Sequence, residues 1–297
     1  MTVLQVQSSD PSLTPCDIDI QVSQKDGKLA VSGYGASNSS VLLDVEVPIV
    51  YDVTVVTSDT AGIQCRDLLE SAWCHLTSQA GHVTIAGVKT ANLLVHTEAG
   101  DVTCSGAIQG SVRLSTTSGN VRSDRRFTGP SLDINTESGS ISVTSSYSDQ
   151  SKFTTMTGQL SLNNIHNTSY VAVYEAADVR MVGVDGTVSV YMKAGSLDMQ
   201  ISCVRAESRV HVEEGDIHLK LSESQPLKVC ATGREVVADE KFSNYGGIEA
   251  TEENYQQYNG AVQPDQFSAL CQVRSDQGRV NISAQDWAAS LGLKLRK

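Results

Sequence analysis

Aromatic side chains are scarce in this 297-residue chain, at 5%, and of its six prolines only Pro130 lies between Pro48 and Pro226. A long stretch with almost no proline is one in which most backbone amides can donate to a hydrogen-bond ladder. No run approaches the roughly 18 apolar residues that a membrane helix needs, and neither an apolar signal segment nor an Arg-rich amphipathic start is visible. The expectation is an intracellular, cytoplasmic protein without a transmembrane segment, or a mitochondrial matrix protein if a presequence is missing from the chain. Basic charge is short as well, with 22 Lys and Arg against 34 Asp and Glu and a net charge of -12. That balance argues against phosphate-backbone binding, so no nucleic acid partner is expected. Closely spaced cysteine pairs are missing too. The seven cysteines (Cys16, Cys65, Cys74, Cys104, Cys203, Cys230 and Cys271) are odd in number and widely spread, which reads as free thiols in a reducing compartment. G-x4-G-K-[ST] and the common Ser or Cys nucleophile signatures are absent, and no cofactor is expected.

What is present is a repeat. The segments 75–87, 94–106, 112–124, 132–144 and 152–164 share an apolar alternation, a Thr or Ser, a Gly and a second alternation, in the pattern Φ-x-Φ-x-T-x-x-G-x-Φ-x-Φ. The turn glycines run Gly62, Gly81, Gly100, Gly119, Gly139, Gly158, an Ala177 stand-in, Gly195, Gly215, Gly233 and Gly278, in steps within one residue of 19 until the last, which is 45. Each repeat reads as two short strands about a tight turn, with alternate residues inward. The inward pairs are Leu76/Val83, Val95/Val102, Leu114/Val121, Ile134/Ile141, Phe153/Leu160, Val190/Leu197, Val210/Ile217 and Val273/Val280. The glycine is expected where the chain reverses with positive φ. The Thr column three residues earlier (Thr97, Thr116, Thr136, Thr155) is expected to form a side-chain ladder.

No 19-residue repeat buries its apolar face alone, and stacking in register joins the inward columns into one core. The fold class is therefore all-β, a single-stranded parallel β-helix (β-solenoid) of about 11 coils of 19–20 residues with capped ends, roughly 50 Å long. Residues 1–50 form an amino-terminal β cap that includes a hairpin around Asp26-Gly27; 51–283 form the solenoid. Residues 284–297 form a capping helix, with Trp287 and Leu291 inward, and a basic tail. An insertion at about 238–266 interrupts the solenoid. It concentrates Phe242, Tyr245, Tyr255, Tyr258 and the adjoining Phe267 in an acidic segment. Such rings either form a partner-binding loop or pack back on the solenoid to cover an open coil. Deleting 240–264 is expected to leave the fold intact.

Candidate chemistry is sparse. The six histidines do not converge in the repeat, so no metal site is expected. Parallel β-helix lyases and hydrolases stack acidic and basic groups from adjacent coils. The nearest equivalents are Asp101, beside His82 and Asn120 in neighbouring coils, and Asp124-Arg125-Arg126. A turn column wants small polar residues for its own geometry, which gives the Asp101 column a structural explanation. Hexapeptide acyltransferase solenoids are excluded, because the apolar period within these coils is 2.

The T-x-S/A-G-x-Φ-x-Φ motif at 19–20 residues, preceded by the strand VEVPIV at 45–50, resembles bacterial adhesin-labelled β-solenoid domains of unknown function and their uncharacterised animal relatives, over roughly residues 40–283. The resemblance implies a right-handed β-helix with no established catalytic residues. The expected function is that of a non-enzymatic scaffold or protein-binding module. The alternatives are a carbohydrate-active β-helix enzyme and, more weakly, an envelope or membrane-surface module, for which the tail residues Lys294, Arg296 and Lys297 are the only hint.

Overall fold

The computed structural model describes residues 3–8, 19–25, 28–34, 41–48, 50–222, 226–243, 246–251, 254–263 and 269–284. The expected carboxy-terminal helix, with Trp287 and Leu291, lies outside them, as does the basic tail. Two compact units divide the chain at Tyr51/Asp52. In the first, strand β1 (Val3–Ser8) lies antiparallel to β4 (Val41–Glu46), while β2 (Asp19–Lys25) and β3 (Lys28–Tyr34) pair antiparallel as a hairpin.

The second unit is a β-solenoid of parallel, stacked coils, with about nine turns in sequence order from 53–66 to 208–221. Inward residues lie over inward residues: Leu76, Val95, Leu114, Ile134, Phe153, Val171, Val190, Val210 and Val273 form one column. Every member of the inward pairs expected from the repeat is at most 2% exposed. Burying aliphatic side chains at about 1.5–3 kcal/mol each is what offsets the entropy of ordering so many short strands.

The middle coils have three faces rather than two: a first face before the glycine turn, as in residues 93–97, a second after it, as in residues 102–105, and a short one between two corners, as around Ile108. Strands such as Val83–Thr97 and Ile141–Thr157 run for 15 and 17 residues because they pass corners without losing their ladder. The register shifts at those corners, between Ala86 and Val88 and again between Lys89 and Asn92. One corner column holds Gly87, Gly106, Asn164 and Gly183, another Gly110, Gly129, Asn167 and Gly186, all with positive φ. The short face between them carries Val88, Ile108, Phe127 and Ile165 inward, with Ser146 between the last two. Ser146 donates to or accepts from Ser151 at 2.8 Å, a buried polar pair beside the bulky Phe127 and Phe153.

The threonine column works differently from a side-chain ladder. In the Thr-x-x-Gly turn, the hydroxyl accepts the glycine N–H of its own coil and donates to the turn carbonyl of the coil before. Gly119 N donates to Thr116 Oγ1 at 2.9 Å, and Thr116 Oγ1 donates to Gly100 O at 3.2 Å. Thr136 repeats both bonds at 3.0 and 3.2 Å, and Ser275 at 2.9 and 2.7 Å. The motif thus satisfies two buried backbone groups with one hydroxyl. Thr155 departs from the pattern and donates to Thr157 O instead. Thr116→Val keeps the shape and removes both bonds. It is expected to cost about 1–3 kcal/mol in denaturant unfolding, with Thr116→Ser much closer to wild type. An unchanged midpoint for the valine variant would show that the column contributes shape alone.

The carboxy-terminal coils stack out of sequence order. Strands Ala269–Ser275 and Arg279–Ala284 pair with Ser208–Glu214 and Ile217–Leu221 on one side. On their other side lie Leu227–Gly233 and Glu235–Ala238. The chain therefore builds its last coil first, then returns to fill the level beneath it. Among the described residues these last two levels are therefore exchanged relative to the order of the glycines along the chain.

Candidate functional site

The Asp101 column is occupied by structural work. In six of the turns the side chain just after the glycine position accepts the amide N–H of the equivalent residue on the coil stacked next to it. Asp101 N donates to His82 Nδ1 at 3.1 Å, Asn120 N to Asp101 Oδ1 at 2.7 Å, and Ser140 N to Asn120 Oδ1 at 2.9 Å. Asp178 accepts from Ser196, hydroxyl and amide, and Asp216 from the Arg279 amide. The Ser196 hydroxyl, then its amide, holds the Asp178 carboxyl below its ordinary value. Asp124, Arg125 and Arg126 are exposed at a corner, around a shallow open depression completed by Gly106, Ala107, Thr144 and Ser145. Among the described residues no group of three or more His, Cys, Asp and Glu side chains is placed to hold a metal ion.

The aromatic insertion is built into the end of the stack. Strand Gln256–Val262 pairs antiparallel with Leu227–Gly233, and Gly246–Ala250 pairs with it in turn. Phe242 is fully buried and Tyr258 is 1% exposed, its hydroxyl donating to Phe242 O at 3.0 Å. Phe242 and Tyr258 therefore offer no surface to a partner, contrary to the partner-binding expectation; they cover an open coil. Tyr255 is half-buried, donates to Asp276 O at 3.0 Å and lies 4.7 Å beneath the Arg234 guanidinium. Tyr245 and Phe267 lie outside the described residues.

A strip of three tyrosines and a histidine lies on the first face of the solenoid, spread over successive coils. Tyr170 and Tyr174, 36% and 43% exposed, share a coil. Tyr191 follows on the next, its ring 6.4 Å from Tyr174 and 6.0 Å from His211 on the coil beyond. Tyr191 donates to Glu213 at 2.7 Å, and that bond to a carboxylate pushes its phenol up. His211 Nε2 lies 2.9 Å from Asp276, which Arg274 also bonds. Burial pushes the Asp276 carboxyl up, but the bonds from Arg274 and His211 outweigh it and hold the group below its ordinary value. Exposed Lys152, Lys193, Arg209 and Glu175 edge this strip. Sequence reasoning missed it because a tyrosine in one segment draws attention only when clustered along the chain. Here Tyr170 pairs with Ser189, and Tyr191 pairs with Ala172 and His211, so the clustering is in the register.

A second cluster lies on the short face, where His166 stacks on Tyr147 at 4.2 Å and approaches Asp185 at 3.5 Å, with Arg205 on the far side of that carboxylate. Its groups are paired with one another along the stack. Among the described residues no helix is long and apolar enough to cross a membrane.

No solved structure matches the chain. The family model of the Toastrack DUF4097 domain, a bacterial domain of unknown function with β-solenoid structure, matches residues 13–146 and again 124–283. Overlapping matches are what a near-regular stack of similar repeats produces. Together they span almost the whole solenoid, and the chain belongs to the Toastrack DUF4097 family.

Proposed function

We propose that this protein is a non-enzymatic β-solenoid scaffold that binds a protein segment along its first face. The observation that carries this reading is the strip of Tyr170, Tyr174, Tyr191 and His211 on three neighbouring coils. Tyrosine is favoured at protein interfaces because it offers a large, rigid contact area and a hydroxyl at little entropic cost. Parallel coils hold such rings at fixed strand spacing, so little ordering remains to be done on binding. The surrounding charges are of both signs, which suits a mixed-charge peptide better than a polyanion.

The test places a benzophenone photocrosslinking residue at position 174, and separately at position 142 on another face, in cells expressing the full chain. Protein crosslinks at 174 that are absent at 142, and that disappear with Tyr170→Ser and Tyr191→Ser, are expected. Equal crosslinking at both positions, or adducts with glycan alone, would overturn the reading. Since both tyrosines are surface residues, thermal unfolding of the double variant is expected to stay close to wild type.

A further inference from the structure

Two thiols in the first coils face each other. Cys65 lies on strand Ile63–Arg66 of the first coil, and Cys74 on Leu69–Ser78, which begins the second. Their sulfurs are 4.0 Å apart, so a bond of about 2.0 Å requires a closure of roughly 2 Å. Cys65 is part-exposed, whereas Cys74 is fully buried. Among the described residues the ladders of Val53–Thr57 and Ile63–Arg66 pair with one neighbouring coil each, which leaves the first coil less restrained against such closure than a coil paired on both sides.

We propose that Cys65 and Cys74 are a redox-responsive dithiol, a modification site at which a small disulfide of the glutathione type converts the pair to an intramolecular disulfide linking the first two coils. Cys65, part-exposed, attacks one sulfur of the small disulfide as the thiolate, having lost its proton. The small S–S bond breaks and one small thiolate leaves, taking up a proton. Cys74 then loses its proton and attacks the Cys65 sulfur, expelling the second small thiol. The protein loses two electrons and two protons, and the small disulfide becomes two thiols. The electrostatics agree with these roles. The hydrogen bond from Cys74 holds the Cys65 thiol below its ordinary value despite burial, while that same contact, then burial, pushes Cys74 up. Cys104 and Cys271 are fully buried and pushed up to about 12, burial being the main cause. Cys203 and Cys230 are half-exposed. Among the described cysteines only Cys65 and Cys74 come within bonding reach of each other.

The test equilibrates the full-length protein in glutathione buffers of graded oxidised-to-reduced ratio, traps free thiols by alkylation and maps the tryptic peptides. Cleavage after Arg66 separates the two cysteines, so the disulfide shows as a crosslinked peptide pair. That pair is expected at ratios where Cys104 and Cys271 remain alkylatable after unfolding. Cys74→Ser is expected to leave a persistent glutathione adduct on Cys65, and Cys65→Ser to leave Cys74 unmodified. Free Cys65 and Cys74 under conditions that glutathionylate Cys203 would overturn the proposal. So would an adduct on Cys65 in the wild type that Cys74 never resolves.

Discussion

Gly119→Ala is expected to destabilise the solenoid by about 3–5 kcal/mol, among the largest effects available from a single methyl group here. A Cβ at that position falls 1.9 Å from the Gly100 carbonyl oxygen and 2.8 Å from Thr116 Oγ1. Real carbon–oxygen contacts need about 3.3 Å or more, so the turn must move away from its neighbour by more than 1 Å. That movement also breaks the two hydrogen bonds of Thr116, leaving the Gly119 N–H and the Gly100 C=O without their partner in a buried turn. Gly247 provides the control: nothing lies within 4 Å of a Cβ there, and alanine is expected to change stability by less than about 0.5 kcal/mol. Denaturant unfolding of the two variants side by side checks both. A Gly119→Ala midpoint as mild as that of Gly247→Ala would mean that the stack can open by one turn without penalty.

The same glycines show what the chain disclosed and what it withheld. Their period was legible because every coil repeats the same local problem, and the aliphatic columns followed from alternation alone. Their reason was not. Positive φ is found at Gly158, Gly195 and Gly215, but Gly81, Gly100, Gly119, Gly139 and Gly278 have no such φ. At those five the demand for glycine comes from the backbone oxygen of the coil before, at 1.8–2.0 Å from any Cβ. A linear sequence carries that oxygen 19 or more residues away, where no local propensity registers it. The corner columns were harder to see for another reason. Asn164 and Asn167 substitute for glycine there, each with positive φ, and the strands continue through the corners, so the apolar alternation shifts phase without stopping.

The exchange of the last two coils had a signal in the chain. Counting glycines places Gly233 after Gly215 at a regular step of 18 residues, yet the turn that stacks on Gly215 is that of Gly278. Ser275-x-x-Gly278 is a complete hydroxyl-x-x-glycine turn, and Ser275 donates to Gly215 O at 2.7 Å. Around Gly233 the residue three positions earlier is Cys230, so that turn cannot make the paired bonds. Arg234 N instead donates to Gly278 O. Spacing therefore gives the order along the chain, while at this end the turn with the hydroxyl is the one seated on Gly215.

Removing the insertion should then do more than shorten a loop. Deletion of 240–264 takes away Phe242, Tyr258 and Val262, all at most 1% exposed, and the strand that pairs with Leu227–Gly233 over seven residues. The expectation of an intact fold fails on that pairing. The stripped coil would present an unpaired edge with an open apolar interior, the surface that leads to association between copies. The deletion is expected to lose the protection of the 227–238 amides in hydrogen exchange and to form concentration-dependent oligomers in light scattering. Point variants separate packing from hydrogen bonding. Tyr258→Ala empties a buried ring and should cost about 3–5 kcal/mol. Tyr258→Phe keeps the ring and removes only the bond to Phe242 O, and should cost about 1 kcal/mol. A monomeric deletion variant with wild-type protection at 227–238 would return this segment to the class of dispensable loops. With the segment acting as a lid, the solenoid closes this end by antiparallel pairing and two aromatic rings, which leaves the tyrosine strip of the first face, away from the lid, as the surface open to a partner.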